Sequence, residues 1–212
     1  KISADKGKLH VNSGSATADL SGKACNANTI HWAYDTWMLA NGTGKAIVKS
    51  GGNTWFFLTA DYAFGHALER DTEAVVTKNG GKVVGKVRTP FPTQDFSSFL
   101  LQAQASKAKI IGLANAGGDT TNSIKQAAEF GITKGGQNLA GLLVFLPDVH
   151  SLGLNIAQGL MLTETFYWDL NDNTRAFTKR FAAAQGGKYP SMVQAGVYSS
   201  VIHYLKAVDA AK

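Results

Sequence analysis

Apolar residues fall along this chain in two alternating patterns, short continuous runs and wider-spaced stripes. Trp55-Phe56-Phe57-Leu58, after the Gly51-Gly52 turn, is an unbroken run of strand length, as expected of a strand buried on both faces. Residues 66–78 carry a stripe instead, with Leu68, Val75 and Val76 on one side and Glu69, Arg70, Asp71 and Glu73 left for solvent. Asn79-Gly80-Gly81 closes that predicted helix, because glycine accepts the left-handed backbone of a helix end. Between run and stripe, residues 59–65 read as a tight loop. Strand, loop and helix together make one βα unit.

The same alternation recurs on both sides. Residues 8–11 form a strand candidate, residues 29–34 an extended aromatic stretch, and Asp35 opens a helix through Trp37, Met38, Leu39, Ala46, Ile47 and Val48. Gly42 and Gly44 weaken that helix by about 1 kcal/mol each relative to alanine. Downstream, strands are predicted over 82–88, 109–114, 141–145 and 159–165. Helices are predicted from Asp95, over 119–130, over 171–185 and over 192–210. Strand and helix in steady succession specify an α/β fold, a parallel sheet with helices on both faces. No internal repeat or low-complexity linker interrupts it.

Composition changes this picture little. The 212 residues suffice for one large or two small domains with an ample core. No apolar run is long enough to span a bilayer. The first residues, Lys1-Ile2-Ser3-Ala4-Asp5, have no signal-peptide pattern, so the expectation is an export signal removed or never present. The net charge of +6 comes from scattered Lys and Arg, without the basic, aromatic-interleaved clusters of a nucleic-acid interface. Cys25 is alone, so no disulfide forms within this sequence.

In a parallel sheet, ligands bind outside the carboxyl ends of the strands, where the following loops converge. Those loops offer Ser13, Ser15, Ala16 and Thr17, then Tyr62 and Phe64, then Asn115, then Asp148. Hydroxyls and small residues that bare backbone N–H groups suit a carboxylate, and two aromatic rings suit an apolar wall. One amide and one carboxylate complete the set. This inventory fits binding a small acid or amino acid better than performing a reaction. Each residue also has a plainer role: a self-satisfied Ser/Thr turn, aromatics packed under a loop, an Asn-Gly turn, an Asp capping the next helix. Enzymatic signals are thin. There is no G-x-G-x-x-G, no phosphate-binding G-x-x-x-x-G-K-[ST] and no G-x-S-x-G elbow, and the histidines have no metal spacing. No enzyme, metal or cofactor is expected.

Residues 55–65 (WFFLTADYAFG), with KNGGKVVGKVRTP, DFSSFLLQAQASKAKIIGLANAGGD and MVQAGVYSSVIHYLKAV, resemble the substrate-binding proteins of ABC transporters. The nearest branch is the Leu/Ile/Val-binding type, the type I periplasmic binding proteins, and the resemblance runs from about Val11 to the C-terminus. It implies two α/β lobes with crossovers near residues 29–36 and 165–169, and a ligand held in a cleft that closes by hinge motion. Residues 1–35 would be part of lobe one, 36–167 lobe two and 168–212 a helical return to lobe one. The chain is little more than half the family's usual length, so lobe one would be incomplete. By position, residues 13–17 resemble the loop that holds the ligand carboxylate, Tyr62 the tyrosine that covers the ligand, and Pro147-Asp148 the pair whose carboxylate meets the α-ammonium. Residues 115–116 lack the aromatic that amino-acid binders often carry there, so an aromatic carboxylate fits as well as an aliphatic amino acid. The expected partners are a small-molecule ligand and a membrane permease, at the periplasmic or extracellular face of a bacterial cell. A ligand-sensing regulator on the same fold is the alternative, and an α/β enzyme of Rossmann or hydrolase type a more distant one.

Overall fold

The computed structural model describes residues 1–211, which form two units: residues 1–35 with 164 onward, and Thr36–Thr163. In the second unit, strands β3 (Thr54–Ala60), β4 (Lys82–Thr89), β5 (Ile110–Ala114) and β6 (Asn138–Gly141) form a parallel sheet in the order β4-β3-β5-β6. The helices between them are α4 (Ala63–Lys78), α5 (Ser97–Ala105) and α6 (Gly118–Glu129), followed by α7 (Leu146–Leu152) and α8 (Leu154–Ala157). Ahead of β3 lie α2 (Thr36–Leu39) and α3 (Lys45–Lys49), joined by a π-helical turn, Ala40–Gly44. The first unit holds α1 (Ile2–Asp5), a parallel pair β1 (His10–Asn12) and β2 (Thr29–His31), and helices α9 (Asp172–Ala184) and α10 (Met192–Ala210).

β3 is central because every residue from Trp55 to Ala60 is buried. Side chains alternate across a strand, so Phe56 and Leu58 join Leu100, Ala103, Ile111, Leu113, Ile124 and Ala127 in the core that α5 and α6 cover. The large rings need room on the neighbouring strands. A β-carbon on Gly85 would lie 2.8 Å from the Phe56 ring, and one on Gly112 2.8 Å from Phe57. Glycine in β4 and β5 is thus a packing requirement of β3. β4, at the sheet edge, alternates half-buried and exposed residues as its pattern predicts.

Glu69 is the one acidic residue that α4 buries against the sheet. Its carboxylate accepts the Thr59 hydroxyl at 2.6 Å and pairs with Arg88 at 2.9 Å and Lys86 at 3.4 Å. The position expected to face solvent is therefore a polar staple between β3, β4 and α4, and the two cations keep its charge compensated.

Four boundaries differ from the sequence pattern. α4 begins at Ala63, so the loop after β3 shrinks to Asp61-Tyr62 and Phe64 sits in the helix's first turn. The helix predicted from Asp35 is interrupted by the π turn that contains Gly42 and Gly44. β6 ends at Gly141, although Leu142, Leu143 and Val144 remain buried beyond the paired segment. The strand predicted over 159–165 is reduced to one bridge, Met161 to Ala140.

Candidate functional site

Parallel register brings the carboxyl ends of β3, β4, β5 and β6 to one edge: Ala60 pairs with Thr89, Thr59 with Ala114, and Leu113 with Gly141. The loop after each strand opens there. Tyr62 precedes α4 in an extended backbone conformation, and its carbonyl accepts the His66 N–H at 3.0 Å. Its ring stacks on Phe91, from the loop after β4, at 4.3 Å and 19°. Phe64 is tilted against the same ring at 5.8 Å and 47°. Tyr62 and Phe64 are partly buried, and Phe91 is 52% exposed. The result is a three-ring wall on the second unit. Sequence reasoning supplied Tyr62 and Phe64 but not Phe91.

Asn115 does other work. It is fully buried, its Oδ1 accepts the Thr120 hydroxyl at 2.7 Å, and its Nδ2 donates to Ser123 Oγ at 3.3 Å. A buried amide at a strand end must have its polar atoms satisfied, and α6 satisfies them. Asn115 thereby fastens β5 to α6. Next to it, Asp119 in the first turn of α6 accepts the Thr93 N–H at 3.3 Å. Burial raises its pKa above the ordinary carboxylate value, against that hydrogen bond. The Tyr62 phenol is pushed up as well, by burial first and then by the charge of Asp119.

Asp148, in the first turn of α7, accepts the Phe145 N–H at 2.8 Å through Oδ2. The plainer role of a cap is thus realised in the structure, and the carboxylate is only partly buried. Burial lifts its pKa above the ordinary value of 3.8, with the Phe145 N–H pulling the other way. A carboxyl group with a raised folded-state pKa holds its proton more tightly in the folded chain than in the unfolded one. Its charge therefore works against folding at neutral pH, and the penalty fades as pH falls through the folded value toward 3.8. Asp148→Asn keeps an oxygen for Phe145 and removes the charge. The variant is expected to be more stable than the parent at pH 7, and the difference to shrink toward pH ~4. Urea midpoints at the two pH values check this.

In the first unit, the candidate loop follows β1. Asn12, 4% exposed, ties it down: its Nδ2 donates to the Ser15 carbonyl at 2.6 Å and its Oδ1 accepts the Ser15 N–H at 2.9 Å. Tyr34 donates its hydroxyl to the Gly14 carbonyl at 3.2 Å, and its pKa is pushed up to about 12 by burial and then by Glu164. Ser15 is exposed, Ser13 partly buried and Ala16 buried. Thr17 accepts the Asp19 N–H at 3.3 Å and caps a short 3-10 turn, which leaves its own proton to donate. Asn12 and Tyr34 as organisers of the loop were not foreseen.

Among the described residues no group of His, Cys, Asp and Glu has metal-binding geometry, and no helix is long and apolar enough to cross a membrane. Cys25 is exposed and free.

A family model described as periplasmic binding protein matches residues 1–212. The crystal structure of a periplasmic binding protein from Burkholderia mallei is similar at a TM-score of 0.95 and 57% identity, covering 99% of this chain and 56% of that one. A branched chain amino acid ABC transporter periplasmic ligand-binding protein from Burkholderia xenovorans LB400 is similar at 0.86 and 41% identity, with coverage of 99% and 56%. Leu/Ile/Val-binding protein homolog 6 of Brucella melitensis is 24% identical over 191 residues, which is 85% of this chain and 47% of that protein. The chain thus spans about half the length of the curated relatives it matches. Each of these relatives is a binding protein, and the Burkholderia xenovorans one belongs to an ABC transporter. With the parallel α/β architecture and a match along its whole length, this chain belongs to the periplasmic binding protein family.

Proposed function

We propose that this chain is part of an extracytoplasmic receptor that captures a small amino acid or carboxylate, aromatic acids included, for an ABC importer. The observation that carries the proposal is the ring wall of Tyr62, Phe64 and Phe91 at the carboxyl edge of β3 and β4. Apolar ring surface left partly in solvent gains free energy when a ligand covers it. In this reading the hydroxyls of Ser15 and Thr17, with Ser13 and Ala16 beside them, receive the ligand carboxylate. Tyr62 and Phe64 cover the apolar part. Asp148 is the candidate for an ammonium group, and Asn115 contributes only by holding the β5–α6 turn. The branched-chain role described for the Burkholderia xenovorans protein supports an amino acid. A membrane permease is the proposed partner, and the periplasmic side of the cell envelope the proposed location.

Thermal unfolding with added leucine, isoleucine, valine, phenylalanine, benzoate or 4-hydroxybenzoate tests the reading. At least one of these is expected to raise the midpoint progressively with concentration and to be recovered unaltered, as binding to the folded state requires. No shift with any of them at millimolar concentration would reject it.

A further inference from the structure

Asn115 and Asp119 are both buried near the start of α6, and they are treated differently. Asn115 has both ends of its amide bonded to Thr120 and Ser123. Asp119, 4% exposed, has Oδ1 on the Thr93 N–H at 3.3 Å, while Oδ2 is shut off from solvent with no hydrogen-bond partner in the protein. An unpaired buried carboxylate oxygen costs free energy unless a donor comes to it. Neither oxygen caps its own helix, since the one bond goes to the loop after β4. That loop also carries Phe91, which stacks on Tyr62, and the charge of Asp119 is felt at the Tyr62 hydroxyl. The loops after β3 and β4 therefore share one aromatic wall, and Asp119, bonded to Thr93 of the second loop, brings an unsatisfied acceptor to the same sheet edge.

We infer that Asp119 is a specificity-determining residue, the acceptor by which the Tyr62–Phe91 wall selects carboxylates that carry a second, hydrogen-bond-donating group, an ammonium or an aryl hydroxyl. The inference rests on the solute-binding reading above and assigns to Asp119 the donor recognition that sequence position alone gives to Asp148. Oδ2 is closed off in the free chain, so the donor reaches it by movement of the loop that carries Thr93 and Phe91.

Isothermal titration of the whole chain with two matched pairs tests it: phenylalanine against 3-phenylpropionate, and 4-hydroxybenzoate against benzoate. The donor-bearing member of at least one pair is expected to bind about 10- to 100-fold more tightly than its partner, the range for a hydrogen bond to a charged group. The pair that shows the gap tells ammonium from hydroxyl. Asp119→Asn is expected to reduce the ratio to about 3-fold or less while leaving the donor-free acid near its parental affinity. Asp119→Ser serves if the Asn variant does not fold, and Tyr62→Phe is expected to keep the gap. An unchanged ratio in Asp119→Asn, equal weakening of both members, no gap in the parent, or loss of the gap in Tyr62→Phe would each overturn the inference. In all four cases an acid still binds, so the solute-binding reading survives. If no member of either pair and no aliphatic amino acid binds the parent chain, both fail.

Discussion

Gly65→Ala is expected to destabilise the second unit by about 3 kcal/mol, the upper part of the range for overpacking a close-packed site. Gly65 is buried in the first turn of α4, where the helix meets the ends of two strands. An added β-carbon would run into the Ala60 carbonyl group and lie 3.1 Å from the Ala114 carbonyl oxygen. Both obstacles are backbone at the ends of β3 and β5, so no side-chain rotation can relieve them. The helix has to lift from the sheet edge, and the short Asp61-Tyr62 connection has to follow. A denaturant midpoint lowered at unchanged slope is the measurement, and an unaltered midpoint would show that α4 is free to shift. Loss of ligand binding is expected to accompany the destabilisation, because Tyr62 is positioned by that same turn.

Tyr62→Ala is expected to weaken capture of the ligand by about 30- to 100-fold, equivalent to roughly 2–3 kcal/mol, as for an aromatic anchor at the centre of a binding surface. The ring contacts both Phe91 and Phe64, so its removal deletes the member of the wall that the other two share. Stability should change far less than binding, since Tyr62 is only partly buried and its carbonyl, rather than its side chain, serves the first turn of α4. Titration calorimetry beside a denaturation curve separates the two effects. Equal loss in both would mean that the ring is packing and not a ligand contact.

Elements with a self-contained signal were legible from sequence. β3 is a continuous apolar run between a Gly-Gly turn and the start of α4, and it stands where the pattern puts it. α10 starts after Ser191, whose hydroxyl accepts the Val193 N–H at 3.2 Å, and runs over the predicted residues. Where apolar residues continue past the paired segment the pattern misleads. Residues 142–144 are as buried as a strand yet lie beyond β6, because hydropathy reports burial and not hydrogen-bond pairing. The candidate site divides in the same way. Tyr62 and Phe64 were legible because they follow β3 at once. Phe91 and Asp119 were not, since their meaning depends on contacts with Tyr62 and Thr93 from 26 to 29 residues away in the chain. The partners of Asn115 were not legible either, because nothing in Asn-Ala-Gly-Gly reveals that Thr120 and Ser123 bond to it.

The π turn at Ala40–Gly44 carries a last implication. Thr43 hydrogen-bonds Thr163 through their hydroxyls at 2.7 Å, and Gly42 leaves room for the Thr163 side chain, whose Cγ2 would stand 2.6 Å from any β-carbon placed there. The second unit runs from Thr36 to Thr163, so the polypeptide enters and leaves it through neighbouring positions that are buttoned together. A module with such a stem is topologically an insertion, fastened within its own boundary by the Thr43–Thr163 pair. Exchange of that module between related chains would therefore have to carry Gly42, Thr43 and Thr163 as a set, because the seam, and not the loops at the carboxyl edge of the sheet, decides whether the graft closes.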